Sequence, residues 1–269
     1  MEGFEKKVII GSRGSDLALW QAHYVKGQLM EHCGLDSEIM VIQTKGDKIL
    51  DLSFDKIEGK GFFTKELEDA LIQGIIDLAV HSMKDLPTVS PQGLCLGGVS
   101  YREDPRDCLL ISPQAYDANK SLGLKGNAIV GTSSVRRKAQ ITDLRNDVST
   151  LDLRGNVPTR IKKLREGGYD AILLAKAGLL RLELDLSDLH ICDLHPIEFV
   201  PAPAQGVLAY QCRENDIHLR KKLALIHHKD VADCTNIERT ILNSMEGGCQ
   251  LPLGVYCHKD ANGFYHLHA

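Results

Sequence analysis

Short β-branched runs alternate with stretches of helical periodicity along most of the chain. Val8–Ile10 leads into Leu17–Met30; after them come the run Ile39–Gln43, the periodic stretch Leu67–Ile76 and the run Leu78–His81. In the first helix Leu17, Trp20, Tyr24 and Val25 follow an i, i+3, i+7, i+8 stripe, Ser15 stands at the N-cap and Gly34 at the stop. Such alternation predicts βαβ units and a mostly parallel sheet.

A second α/β set is predicted from Cys108–Ile111 through Ala128–Gly131, a helix opening at Ser134, the strand Thr150–Leu153, a helix around Pro158–Arg165 and the strand Ala171–Ala175. The Pro-rich segment Phe199-Val-Pro-Ala-Pro-Ala-Gln-Gly206 reads as a semi-rigid connection ahead of Val207–Tyr210. A third unit follows, with a helix over Ile217–Ile226 and another opened by a capping box at Thr235-Asn-Ile-Glu238. That helix should end at Gly247-Gly248, ahead of a hairpin of Val255–His258 and Phe264–His268 around an Asp260–Gly263 turn. The stretch from Asp47 to Gly61 holds no sustained period and is either a lid or a surface excursion.

With 269 residues, 43% hydrophobic and 25% charged, the chain can bury a core in two domains, possibly three. No secretory leader is expected from the polar start, and the longest apolar stretch, Ala171 to Leu180, is broken by Lys176. Eight cysteines without a C-x-x-C pair suit buried thiols in a reducing compartment, and the eleven histidines show no zinc spacing. A soluble intracellular protein is therefore expected. The net charge of −4 excludes a global attraction to nucleic acid or membrane. Between Gly131 and Arg165, however, nine basic residues face three acidic ones, which suggests a basic pocket for a small anion.

Three strand-to-helix turns could supply such a site: Gly11-Ser-Arg-Gly-Ser15, Gly131-Thr-Ser-Ser-Val-Arg-Arg137 and Leu153-Arg-Gly-Asn-Val-Pro-Thr-Arg160. Helix N-termini offer unpaired N–H groups, hydroxyls add donors, and arginine presents a fork that matches a carboxylate. Converging at one sheet edge, they would hold a polycarboxylate or a phosphate; taken singly, each could equally be a cap with surface arginines. Past the run Asp77–His81, Ser82, Lys84 and Asp85 stand where an open sheet places its ligand. Lys84 could hold a carboxylate or form a Schiff base, and Asp85 could move a proton or stabilise a cation. Cys249, flanked by glycines in Gly247-Gly-Cys-Gln-Leu-Pro252, is either an inert core thiol or a covalent anchor. On these residues alone a non-catalytic, two-lobed anion-binding module remains an alternative to an enzyme.

Six strings in one order resemble the porphobilinogen deaminase (hydroxymethylbilane synthase) family from Val8 to about Gly254. They are the three turns above, Gly59-Lys-Gly-Phe-Phe-Thr-Lys-Glu-Leu67, Ala79-Val-His-Ser-Met-Lys-Asp-Leu-Pro87 and the glycine-flanked cysteine motif. The resemblance implies a transferase of tetrapyrrole and heme biosynthesis. It would condense four porphobilinogen molecules head to tail, releasing ammonia, on a dipyrromethane cofactor held by a thioether to Cys249, and then release hydroxymethylbilane. It further implies that Asp85 serves the pyrrole nitrogens, stabilising cationic azafulvene-like intermediates. The acetate and propionate groups would fall to Arg13, Ser15, Ser82, Lys84, Thr132, Ser133, Ser134, Arg136, Arg137, Arg154, Gly155, Arg160 and Gln205. Lys60 and Lys65 would lie on a segment closing over the cleft, which favours the lid reading of 47–61.

The implied architecture is two periplasmic-binding-protein-like α/β lobes of type II plus a small α+β third domain. Residues 1–103 with 203–224 would form the first domain, 104–202 the second, and 225–269 a cofactor-bearing third. The chain ends at Ala269, within the span expected of that third domain. The family's implied partners are porphobilinogen and the growing polypyrrole chain, without nucleic acid or membrane, in a cytoplasmic monomer. Two residues depart from the family's pattern: Ala204 replaces a glycine, which should stiffen the hinge, and Gln211 replaces a glutamate. Neither is expected to touch the chemistry.

Overall fold

The computed structural model describes residues 7–44, 64–245 and 251–269, and the chain divides into two compact units. The first begins with β1 (Val8–Ser12), α1 (Asp16–Cys33), β2 (Ser37–Val41), α2 (Lys65–Ile72), β3 (Leu78–Ser82) and β4 (Leu94–Val99). The second takes β5 (Asp107–Ile111), β6 (Ile129–Gly131), α3 (Val135–Leu144), β7 (Ser149–Leu151), α4 (Val157–Arg165), β8 (Ala171–Ala175), α5 (Lys176–Leu182) and β9 (His190–Asp193). The chain then returns to the first unit with β10 (Leu208–Arg213) and α6 (Ile217–Leu223). Helix α7 (Lys229–Ser244) leads back to the second, which also holds the hairpin of β11 (Tyr256–Lys259) and β12 (Tyr265–His268).

Each unit carries a five-stranded mixed sheet, ordered β2-β1-β3-β10-β4 and β7-β6-β8-β5-β9. The first three strands of each order run parallel, and the fourth runs antiparallel to both neighbours. The expected parallel core is present, and the antiparallel strand comes in each case from a chain crossing between units. Helices cover both faces of the first sheet. Leu78, Val80, Leu208 and Tyr210 pack with Ala22, Val25 and Leu29 of α1 and Leu219 and Leu223 of α6. On the other face Ala79 packs with Leu67 and Leu71 of α2. This two-sided burial explains why β3 reads as a continuous apolar run and not as an alternation. The second sheet is covered in the same way, by Ile141 of α3 on one face and by Ile161 and Leu164 of α4 on the other.

Local signals hold where chemistry is local. Ser15 Oγ caps α1 by accepting from Ala18 N, and Gly34 ends it in the left-handed conformation at φ 64°. The stripe within α1 is rotated from the expected one: Gln21, Ala22, Val25 and Leu29 are buried, whereas Leu17, Trp20 and Tyr24 are only partly covered. Helix α7 opens six residues before Thr235. Thr235 and Glu238 are fully buried within it, and the Glu238 carboxylate accepts from Ala204 N (2.6 Å) and Cys257 N (2.7 Å). What reads as a capping box is thus a tertiary contact. Strands β4 and β9 carry no clear sequence signal. In β4, Gly97 lies close under α6: a Cβ there would lie 2.5 Å from Leu223 Cδ1, and that side chain would have to move. Among the described residues no helix is long and apolar enough to cross a membrane.

Candidate active site

The first unit has a pocket at the C-terminal ends of β1 and β3, where an open sheet exposes its loops. Arg13 and Ser15 reach it from the β1–α1 turn, Ser82 from the end of β3 and Asp85 from the 3-10 turn Met83–Asp85; Gln21, Thr64 and His81 complete its polar lining. Gln21 is the buried polar residue of α1, and its Nε2 donates to Ser82 Oγ at 2.9 Å, which fixes that hydroxyl. Met83 N donates to Val207 O, anchoring the turn that presents Asp85. Lys84 lies on the same turn outside the pocket lining, and Lys65 is exposed at the start of α2. Four of the residues expected from sequence therefore meet here: Arg13, Ser15, Ser82 and Asp85. Gln21, Thr64 and His81 had no separate sequence signal.

The other two turns belong to the second sheet, so the three do not share one sheet edge. They sit beside one another after the adjacent parallel strands β6 and β7. Ser133 Oγ joins them, donating to Leu153 O and accepting from Leu153 N, both at 3.0 Å. Thr132 Oγ1 accepts from Ser134 N, and Ser134 Oγ caps α3 by accepting from Arg137 N. In the following turn Gly155 adopts φ 116°, and its carbonyl accepts from Arg160 Nε at 2.7 Å. Lys163 Nζ donates to Arg154 O.

Arg136 and Arg137 converge on Asp107, which is completely buried. Arg137 Nη2 donates to Asp107 Oδ1 at 2.7 Å, and Arg136 Nη2 lies 2.8 Å from Oδ2 in an ion contact off the N–H direction. Gln205 Nε2 adds a bond to Oδ1 at 2.9 Å. Burial alone would raise the Asp107 carboxyl, but Arg136 and Arg137 overcome it and hold the group well below the usual carboxylate range. The guanidinium groups also donate to backbone, Arg136 to Val200 O and Arg137 to Leu173 O. Much of the basic excess read from sequence is neutralised in this way. Arg145 pairs with Asp147, Lys138 with Asp152, and Arg165 with Asp188.

Cys249, Lys60 and the segment 47–61 lie outside the described residues. The pocket can still be tested against a dipyrromethane, which carries acidic side chains and pyrrole N–H groups. Arginine, serine and threonine hydroxyls and a glutamine amide offer donors to carboxylates, while the Asp85 carboxylate can accept only from N–H groups or stabilise positive charge. This donor set fits that group. Among the described residues no cluster suits a metal ion.

The repeated strand order, with the antiparallel strand exchanged between units, defines two α/β lobes of the type II periplasmic-binding-protein kind. The pocket at the strand ends of the first lobe sets arginine, hydroxyl and amide donors around one carboxylate. Residues 8–221 match the family description "Porphobilinogen deaminase, dipyromethane cofactor binding domain", and residues 232–267 match "Porphobilinogen deaminase, C-terminal domain". The chain belongs to the porphobilinogen deaminase family of transferases. It is 46% identical over 261 residues to the porphobilinogen deaminase of Helicobacter hepaticus, covering 97% of this chain and 79% of the relative. Against that of Sulfurimonas denitrificans the identity is 48% over 252 residues, covering 93% and 79%. Against that of Chloroherpeton thalassium it is 44% over 265 residues, covering 98% and 82%.

Proposed function

We propose that this chain joins four porphobilinogen molecules head to tail with loss of ammonia at each step, and releases hydroxymethylbilane by hydrolysis. The observation that supports the proposal is one carboxylate, Asp85, in a single pocket with arginine, hydroxyl and amide donors. Held through a thioether to Cys249, a dipyrromethane would supply a nucleophilic free pyrrole carbon, to which the aminomethyl carbon of an incoming ring would be joined as its ammonia leaves. Arg13, Ser15 and Ser82 would hold acidic side chains and so fix which ring faces Asp85. The Asp85 carboxylate would stabilise the positive charge that develops on a substrate ring as ammonia leaves, and accept a proton from a pyrrole N–H.

Lys84, Arg154 and Arg160, with the N-terminus of α3, would take the carboxylates of later rings, and Lys60 and Lys65 would close over them. Arg136, Arg137 and Gln205, gathered on Asp107, would support the Thr132–Ser134 turn from beneath. The division into domains 1–103 with 203–224, 104–202 and 225–269, a monomeric state and a cytoplasmic location are part of the same proposal.

Intact mass tests the reading directly. Protein made where porphobilinogen is available should carry a dipyrromethane adduct that disappears in Cys249→Ala. An unmodified wild-type mass under those conditions would remove the proposal. Asp85→Ala should fold and retain its adduct while losing bilane formation; normal turnover by that variant would refute the role given to Asp85.

A further inference from the structure

Behind the pocket wall runs a chain of three buried polar side chains from three different elements. Strands β3 and β10 are antiparallel neighbours, with Ala209 opposite His81 and Gln211 opposite Ala79. His81 and Gln211 therefore project from the same face of the sheet, the one covered by α2, as diagonal neighbours. Gln211 Oε1 lies 3.1 Å from His81 Nε2, and Gln211 Nε2 donates to Glu68 Oε1 of α2 at 3.1 Å. All three side chains are buried.

The direction of the chain follows from donor and acceptor chemistry. The amide turns its NH2 toward Glu68, whose Oε1 accepts from it. Its oxygen then faces His81, and an amide oxygen only accepts, so His81 must carry its proton on Nε2. That leaves Nδ1 as an acceptor on the ring of a residue that lines the pocket with Arg13 and Asp85. A flipped amide would set its oxygen against the carboxylate, which is unfavourable at this depth.

We propose that Gln211 is a positioning residue for the reaction: anchored on Glu68, it holds His81 as the Nε2–H tautomer in the pocket wall, uncharged beside Arg13 and Asp85. This rests on the condensation proposed above. A protonated imidazole here would add positive charge where a cation must form and would compete with it for Asp85; burial of the ring avoids this, and Gln211 sets which nitrogen keeps the single proton. Among the described residues, the charged groups on the surrounding elements are Arg13 in the β1–α1 turn, Lys84 and Asp85 after β3, Lys65, Glu66, Glu68 and Asp69 of α2, and Arg213 of β10, whose guanidinium is paired with Asp77. Burial, with a smaller contribution from Arg13, lowers the His81 pKa to about 4 against the opposing effect of the Gln211 bond, so the neutral ring is kept at any working pH above about 5.

The first test uses the full chain labelled with 15N-histidine, with His81 assigned by loss of its signal in His81→Gln. Two-bond proton–nitrogen correlations between pH 5.5 and 8.5 should show one pH-independent Nε2–H tautomer for His81. An Nδ1–H tautomer, or a midpoint near the ordinary value of about 6.5, would overturn the proposal. The second test exchanges the pair, Glu68→Gln with Gln211→Glu, which keeps volume and net charge but puts a carboxylate against His81. Its His81 midpoint should rise into the measured range, with kcat about tenfold lower one pH unit below that midpoint and KM little changed.

A kcat profile superimposable on wild type while the NMR shows His81 protonated would refute the catalytic consequence. If the exchanged variant does not fold, the wild-type tautomer alone decides. Failure of the wild type to form bilane would instead sink the proposed function, leaving the tautomer result to be judged by itself.

Discussion

Asp107→Asn removes one charge from the most deeply buried ionic cluster described, while keeping side-chain shape and an acceptor oxygen. The wild-type carboxylate has no solvent exposure, and the side chains of Arg136 and Arg137 are only 5% and 8% exposed. Two guanidinium groups would thus lose their counter-charge in a place water cannot reach. Breaking one buried ion pair costs about 3–5 kcal/mol. Here the two arginines share one acid and each keeps a backbone acceptor, so the same range is expected and not its double.

That loss is a large share of a typical stability of about 5–15 kcal/mol. Urea denaturation followed by far-UV circular dichroism should show it as a lower midpoint at pH 7. The pH dependence has a fixed sign. Because the folded Asp107 pKa lies below its unfolded value of about 3.9, the stabilisation is fully present above that value and is lost as pH falls toward the folded value. The gap between wild type and variant should be constant above about pH 5 and should narrow in more acid solution. A cost under about 1 kcal/mol at pH 7, or a gap that widens on acidification, would refute the account of this cluster.

Ala204 adopts φ 61°, where an L-residue is strained and glycine is not, so Ala204→Gly should stabilise the chain by about 0.5–1 kcal/mol in the same urea assay. Glu238→Ala removes the acceptor of Ala204 N and Cys257 N and should lower stability by about 2–4 kcal/mol, with Glu238→Gln costing less. Cys108 and Cys212 are pushed up to about 12, chiefly by burial, with Asp107 and Cys95 respectively adding to it. At pH 8 both should resist alkylation in the native chain and react after denaturation, as peptide mass mapping would show.

The sequence discloses what neighbours in the chain decide. Ser15 and Gly34 mark the ends of α1 because caps act over three or four residues, and Asn156 opens α4 for the same reason. Failures arise where a residue serves a distant partner. Gln21 breaks the apolar stripe of α1 because it reaches Ser82, and Glu238 imitates a cap because it bonds to two segments outside its helix. Arg136 and Arg137 have a partner no sequence spacing reveals, Asp107 from the neighbouring strand β5. Gln211 looks incidental until β10 sets it against His81, one hydrogen bond from a residue of the pocket wall.

Strand β10 has a consequence for how the chain folds as it is synthesised. It occupies an interior place in the first sheet, between β3 and β4, and is made only after the whole of β5–β9. Until then β3 and β4 lack the neighbour that joins them, and their backbone groups stand open to pairing with another chain. The first lobe to begin emerging from the ribosome is therefore the last able to close. The second lobe's sheet, whose five strands are contiguous in sequence, can form earlier. The incomplete sheet is the stage at which a nascent chain of this design most needs protection from aggregation.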